Sequence, residues 1–184
     1  MKAVTKFYLK LFMFTGIPFG LFLMGIDWLG GKPPSFMGFA LKAFLFGLVM
    51  AFFLGGWHLS GLKKLGVKVF TDENLSVRHK KQIVLNLTRE EMKVAIEKDA
   101  HFSSLPKKEV EGGIRLRTKV GISSWGSYLY VKVKPIDDEK NEFIISSKPV
   151  LFLTIIDSGL GYDGVNKLVE LLEKAAKNKL DKKV

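Results

Sequence analysis

Two long runs without a charged side chain decide most of what this chain can become. From Leu11 to Ile26 no residue is charged, and Phe7, Tyr8 and Leu9 extend the apolar stretch past Lys10. A second uncharged run goes from Ala43 to Leu62, with Phe36–Leu41 ahead of it. Each holds roughly 20 residues, enough at 1.5 Å per helical residue to cross the ~30 Å hydrocarbon core of a bilayer. Both are apolar around their whole circumference, whereas a helix on a soluble protein's surface keeps a polar face. Lipid offers the backbone no hydrogen-bond partner, so a spanning segment must be helical. The expected N-terminal unit is a transmembrane hairpin in residues 1–62, with spans at about 7–26 and 38–62.

The flanks orient it. Lys2, Lys6 and Lys10 precede the first run and Lys63, Lys64 and Lys68 follow the second, while the loop from Asp27 to Ser35 carries one Asp and one Lys. Cytoplasmic flanks of spans are enriched in Lys and Arg, which predicts a multi-pass inner (cytoplasmic) membrane protein with N-in and C-in topology. Asp27-Trp28 and Trp57-His58 put amphipathic rings at the expected interfaces, Lys42 is placed to snorkel to the headgroups, and Gly30-Gly31-Lys32-Pro33-Pro34 is a tight outer turn. No small-x-small cleavage site follows the first run, so it is expected to be retained. Gly16 and Gly20 have GxxxG spacing and Gly47 offers a small face on the second helix, for packing within the hairpin or at a homodimer seam. Neither run carries the acids or histidine chains of an ion or proton pathway.

The rest of the chain has a different composition. Of the 29 Lys and Arg all but five lie after residue 62, as do all but one of the 18 Asp and Glu. A basic cytoplasmic domain is therefore expected over residues 63–184. The absence of cysteine excludes disulfides, zinc knuckles, thiol catalysis and thiolate-held iron–sulfur clusters. Gly66 to Leu87 reads as extended, with a turn at Asp72-Glu73-Asn74. Thr88 and Glu91 form a capping box opening a helix that buries Met92, Ala95 and Ile96 and ends before Pro106. Strands are expected at Ile114–Val120, Tyr128–Lys134, Glu142–Ser147 and Leu151–Ile156, with a hairpin turn across residues 135–141. A last helix from about Asp163 buries Val165, Leu168, Val169, Leu172 and Ala176. Period-2 alternation with short turns gives an antiparallel sheet with one wet face, hence an α+β domain of two layers, antiparallel sheet plus helices.

Several local motifs carry a resemblance. These are the turn Ser124-Trp125-Gly126, Ser146-Ser147 at the end of a strand pair, and Asp157-Ser158-Gly159 with Asn166 leading into the last helix. On them, residues 114–172, about a third of the chain, resemble uncharacterised bacterial membrane-anchored α+β domains of unknown function. The resemblance implies a fold rather than an activity.

Chemical motifs are sparse. Gly159-Leu160-Gly161-Tyr162-Asp163-Gly164 matches G-x-G-x-x-G, yet only 20 residues follow it, too few for the second parallel strand of a dinucleotide-binding unit, and Asp157 and Asp163 would repel a pyrophosphate. The glycines are expected to serve a tight helix start. His58, His79 and His101 show no metal-ligand spacing and no Gly-x-Ser-x-Gly elbow is present. No catalytic, cofactor-binding or metal-binding residue is predicted, and the chain is expected not to be an enzyme. The strongest signal is basic: Arg115, Arg117 and Lys119 on one strand and Lys132 and Lys134 on the next share a side with Tyr128 and Tyr130. Such a surface could hold single-stranded nucleic acid, but for a tethered domain anionic lipid headgroups are the nearest polyanion, which disfavours nucleic acid. The expected function is a membrane-anchored, non-catalytic binding or assembly module whose partners are the bilayer, its anionic headgroups, and a membrane protein or second copy. The alternative is a membrane-tethered carrier or sensor of an apolar or lipid ligand, which needs a cavity lined by Leu129, Val131, Val133, Ile144 and Leu168.

Overall fold

The computed structural model describes residues 2–121, 125–137 and 139–181, in two compact units, Met1–Leu75 and Ser76–Val184. The joint falls later than the change of composition at residue 62, because the segment after the second helix folds onto its own unit. Val67 and Leu75 are buried there, and Asn74 closes the turn, accepting from the Thr71 N–H and donating to the Val69 carbonyl.

The first unit is two helices, α1 (Ala3–Leu29) and α2 (Phe36–Lys64). Both overrun the spans read from sequence, and both are long and apolar enough to cross a membrane. The Ser35 hydroxyl accepts from the Gly38 N–H to start α2, and Lys63 and Lys64 sit in its last turn, where cations suit the negative pole of the helix dipole. The glycines let the backbones touch. A Cβ on Gly16 would lie 2.5 Å from the Ala43 carbonyl oxygen, one on Gly20 would meet Phe39 and the Ala43 methyl, and one on Gly47 would lie 2.9 Å from the Phe12 carbonyl oxygen. Gly16, Gly20 and Gly47 are thus spent on contacts inside the hairpin. Outward, apolar rings such as Phe22, Phe52 and Phe53 remain exposed. The Lys42 ammonium pairs with the Asp27 carboxylate, which offsets either charge among apolar neighbours. His58 is buried, with its ring 5.2 Å from that of Phe7, while Trp28 keeps an exposed ring.

The second unit is α+β, as the patterning predicted. Its elements are β1 (His79–Leu85), α3 (Arg89–Lys98), β2 (Lys107–Val110), β3 (Gly113–Arg117), β4 (Ser127–Pro135), β5 (Asn141–Pro149) and α4 (Leu160–Asp181). The strands form one antiparallel sheet in the order β1-β5-β4-β3-β2. Inward residues Ile114, Leu116, Leu129, Val131, Phe143 and Ile145 meet Met92 and Ile96 of α3 and Val165, Leu168 and Leu172 of α4 in one core. Burying each such side chain is worth about 1.5–3 kcal/mol. The capping box is formed, with Thr88 Oγ1 accepting from the Glu91 N–H and Glu91 accepting from the Thr88 N–H. Glu91 also pairs with Lys179 at 2.8 Å, tying α3 to α4. Burial alone would raise the Glu91 carboxyl, but Lys179 and the Thr88 N–H hold it below the usual carboxylate range.

Three expectations on the strands are corrected here, and one strand was missed. Within Gly66–Leu87 only His79–Leu85 joins the sheet. Leu151–Ile156 is not a strand: β5 already has neighbours on both edges, and the segment turns, with the Thr154 N–H donating to the Leu151 carbonyl. β2 was not foreseen, because an edge strand reading Lys-Lys-Glu-Val has little apolar signal. Ile144, expected to line the cavity that a carrier would need, is the partner of Lys132 and lies on the open face. Ser124 and Asp138, in two of the expected turns, lie outside the described residues.

Candidate functional site

With both helices on one side, the other side of the sheet is uncovered, and the register says what it displays. Tyr128, Tyr130, Lys132 and Lys134 of β4 face outward, since Leu129 and Val131 between them are fully buried. Opposite them on β3, Arg115 pairs with Tyr130 and Arg117 with Tyr128. On β5, Lys148 pairs with Tyr128, Ser146 with Tyr130, Ile144 with Lys132 and Glu142 with Lys134. The edge strands add Lys80, Gln82 and Val84 from β1 and Lys108 from β2. Lys80, Lys108 and Lys148 were missed in sequence because their place depends on pairings between distant strands.

The centre of this face is an aromatic and cationic cluster. The Tyr128 and Tyr130 rings lie 6.3 Å apart. The Arg115 guanidinium sits 4.7 Å from the Tyr128 ring centre and the Lys148 ammonium 5.8 Å from that of Tyr130. Cations over aromatic faces gain about 0.5–1 kcal/mol at exposed sites, and the rings fix where the charges stand. Glu142 is the one carboxylate among the described residues of the face, and it accepts from Gln82 at 3.2 Å. Lys119 does not join the cluster. It follows the end of β3 and lines a hollow of about 230 Å³ with Leu129, Leu160 and Gly164, on the helical side.

The glycine motif is explained by packing. Gly159 has φ of 80°, and Ser158 before it has φ of 54°, the left-handed region that a non-glycine residue enters at some cost. A Cβ on Gly161 would lie 2.7 Å from Ser147 Oγ and 2.8 Å from Asp157 Oδ2, and one on Gly164 would lie 3.0 Å from the Leu129 side chain. The helix is therefore pressed onto the sheet at both glycines. Asp157 is fully buried and accepts from the N–H of Gly159 at 3.0 Å and of Gly161 at 2.8 Å. Its carboxylate fills the anion seat that the start of α4 offers. Burial pushes its carboxyl above the ordinary 3.8, and the Gly161 and Gly159 N–H groups oppose the shift. A group raised in the folded state costs stability as pH climbs from its unfolded value through its folded one. Asp157→Asn should lose the acceptor for one N–H, at about 1–3 kcal/mol. The stability advantage of the native protein over this variant should be largest below pH 3.8 and shrink as pH rises, read by denaturant unfolding at a series of pH values.

Buried His79 stands opposite Ser147 on the inner face, with its ring 5.5 Å from that of Tyr162. Both side chains are enclosed between sheet and α4, so they serve packing rather than an accessible site. Among the described residues no group of three or more His, Asp or Glu is placed to hold a metal ion. Of the residues expected to line an apolar cavity, Leu129, Val131 and Leu168 are packed in the core, and Leu129 borders the 230 Å³ hollow. A larger open groove, about 800 Å³, lies between α3 and α4 and mixes Val94, Ala95 and Leu171 with Glu90, Lys98 and Lys174. No protein-family model matches this chain, and no curated protein matches it.

Proposed function

We propose that this chain is a membrane-anchored, non-catalytic binding or assembly module, held by an N-in, C-in helical hairpin in the inner membrane, whose cationic sheet face rests on anionic lipid headgroups. The observation that carries the reading is the open face, where, among the described residues, seven Lys and Arg and two tyrosines share one surface with a single carboxylate. Each basic residue near an anionic leaflet contributes roughly 1 kcal/mol, so several on one rigid sheet act together. Tyrosine suits a headgroup layer, with an apolar body and a polar tip. The packed core supports a docking module over a carrier, since a carrier would need the space that Leu129, Val131 and Leu168 fill.

The test is chemical footprinting of lysines in the full-length protein reconstituted into vesicles. Acylation of Lys132, Lys134, Lys148 and Lys80 should be suppressed in phosphatidylglycerol-containing vesicles relative to pure phosphatidylcholine. The suppression should fade as salt shortens the Debye length from about 10 Å at 0.1 M toward 3 Å at 1 M. Arg115→Glu with Arg117→Glu should restore labelling of Lys132 while leaving amide-exchange protection of the sheet intact. Equal labelling in both vesicle types would refute the reading. The topology has its own check: protease added outside sealed cells should spare the Ser76–Val184 unit, and cleavage there without lysis would invert the orientation.

A further inference from the structure

Two connections meet at one end of the sheet. Between β3 and β4 the chain carries Val120 and Trp125, and between β5 and α4 it carries Leu151, Phe152 and Leu153. All five side chains are exposed, Trp125 at 63% and Phe152 at 78%. The two segments are neighbours, because the Val150 N–H donates to the Gly126 carbonyl at 3.0 Å and Ser127 is the register partner of Pro149. Exposed apolar side chains gathered at one place on a unit with a well-packed core mark an interaction site.

Charge indicates what covers it. The row of the open face nearest this end is Arg117–Tyr128–Lys148, so the apolar tip is bordered by two cations and a tyrosine. Neither Asp nor Glu occurs among the described residues of 117–128, nor in 148–156. A second copy of the chain would bring the same cations against these, and like charges set face to face oppose association. A surface that is anionic at its boundary and apolar just beneath fits both parts at once, and that is a bilayer leaflet. Tryptophan is the side chain most at home at that depth.

We propose that Trp125 and Leu151-Phe152-Leu153 form a wedge that enters the interfacial zone of an anionic bilayer, with Arg117 and Lys148 held at the lipid phosphates. This rests on the reading that the sheet face meets the membrane, and adds that contact is insertion rather than electrostatic adsorption alone. The wedge sets a tilt: with the open face toward the headgroups, the end of the sheet bearing the β3–β4 and β5–α4 connections lies deeper in the leaflet than the end bearing the β4–β5 turn.

The chain contains no cysteine, so single spin labels can be placed cleanly. Phe152→Cys and, as a second position, Leu153→Cys report on the wedge, and Gln82→Cys reports on the open face. Each is measured in the full-length protein in vesicles with and without phosphatidylglycerol, by collision with oxygen, which partitions into acyl chains, and with a water-soluble nickel chelate. Labels at 152 and 153 should gain oxygen collisions and lose nickel collisions several-fold when phosphatidylglycerol is present, while the label at 82 loses nickel collisions only. If 82 is shielded but 152 and 153 stay as open to nickel as in pure phosphatidylcholine, the wedge is wrong and adsorption of the face stands. If 82 also stays open, the reading beneath it fails as well. Loss of nickel access at 152 with no gain in oxygen, together with dipolar broadening between labels, would mean that a second copy covers the tip, and would overturn the proposal.

Discussion

Val131→Asp should unfold the sheet unit, while Tyr130→Asp, one residue away, should leave it folded. Val131 is fully buried in the middle of β4 with Ile114 and Ile145 as its partners on either side. A carboxylate there has no counter-charge and no water, which costs several kcal/mol against a total stability of about 5–15. Tyr130 faces the open side, opposite Arg115 and beneath the Lys148 ammonium, where an aspartate keeps solvent and gains cationic neighbours. Amide hydrogen exchange across β3, β4 and β5 of the full-length protein reads both variants. Protection should vanish in the first and persist in the second. The reverse pattern would mean that the strand presents its other face to the core, since a one-residue slip exchanges every side chain between faces.

Gly47→Leu should spread the helical hairpin. The hypothetical Cβ at this position already lies 2.9 Å from the Phe12 carbonyl oxygen and 3.0 Å from the Gly16 Cα. Backbone cannot step aside as a flexible side chain can, so the helices must separate or slide. Overpacking of this kind costs about 1–3 kcal/mol, and in lipid there is little hydrophobic force to draw the helices back together. The Phe12 and Phe44 rings meet edge to face with centres 5.8 Å apart, so Phe12→Cys with Phe44→Cys gives a cross-linking pair in a chain with no other cysteine. Disulfide yield between them should fall sharply with Gly47→Leu and hold with Gly56→Leu, whose added Cβ would meet nothing within 4 Å. Equal yields in the two would place the helix contact elsewhere.

Much of the fold was legible because its signals are local. Thr88 and Glu91 sit three apart, and the box they form depends on nothing else in the chain. Strand β4 alternates strictly, so Leu129 and Val131 went inward and Tyr128 and Tyr130 outward as read. The stripe Val165, Leu168, Val169, Leu172 and Ala176 follows the helical period and is buried as a set. What failed depended on partners far along the chain. Leu151-Phe152-Leu153 has strand-like residues, but β5 just before it is already paired on both sides, and the segment became an exposed turn. β2 has a strand's place without its composition. Of the candidate surface, Arg115, Arg117, Tyr128, Tyr130, Lys132 and Lys134 were found from alternation alone. Lys119 was misplaced because alternation was extended past the true end of β3. Lys80, Lys108 and Lys148 needed the strand order.

That strand order also sets a timetable for making the molecule. The first strand of the sheet pairs with the last, His79 with Ser147, and α4 follows after both. A growing chain therefore carries β1 as a single strand while some sixty further residues are added. Closing that long loop costs chain entropy before any contact returns it, and folds dominated by distant pairings form slowly for this reason. The core stays incomplete in the meantime: until α4 is present, the part of the inner face that Val165, Leu168 and Leu172 cover lies bare. A ribosome halted before Pro149 would leave a chain with uncovered strand edges and part of an apolar sheet open. In the cell such a product is a substrate for proteases and chaperones, and a nucleus for aggregation.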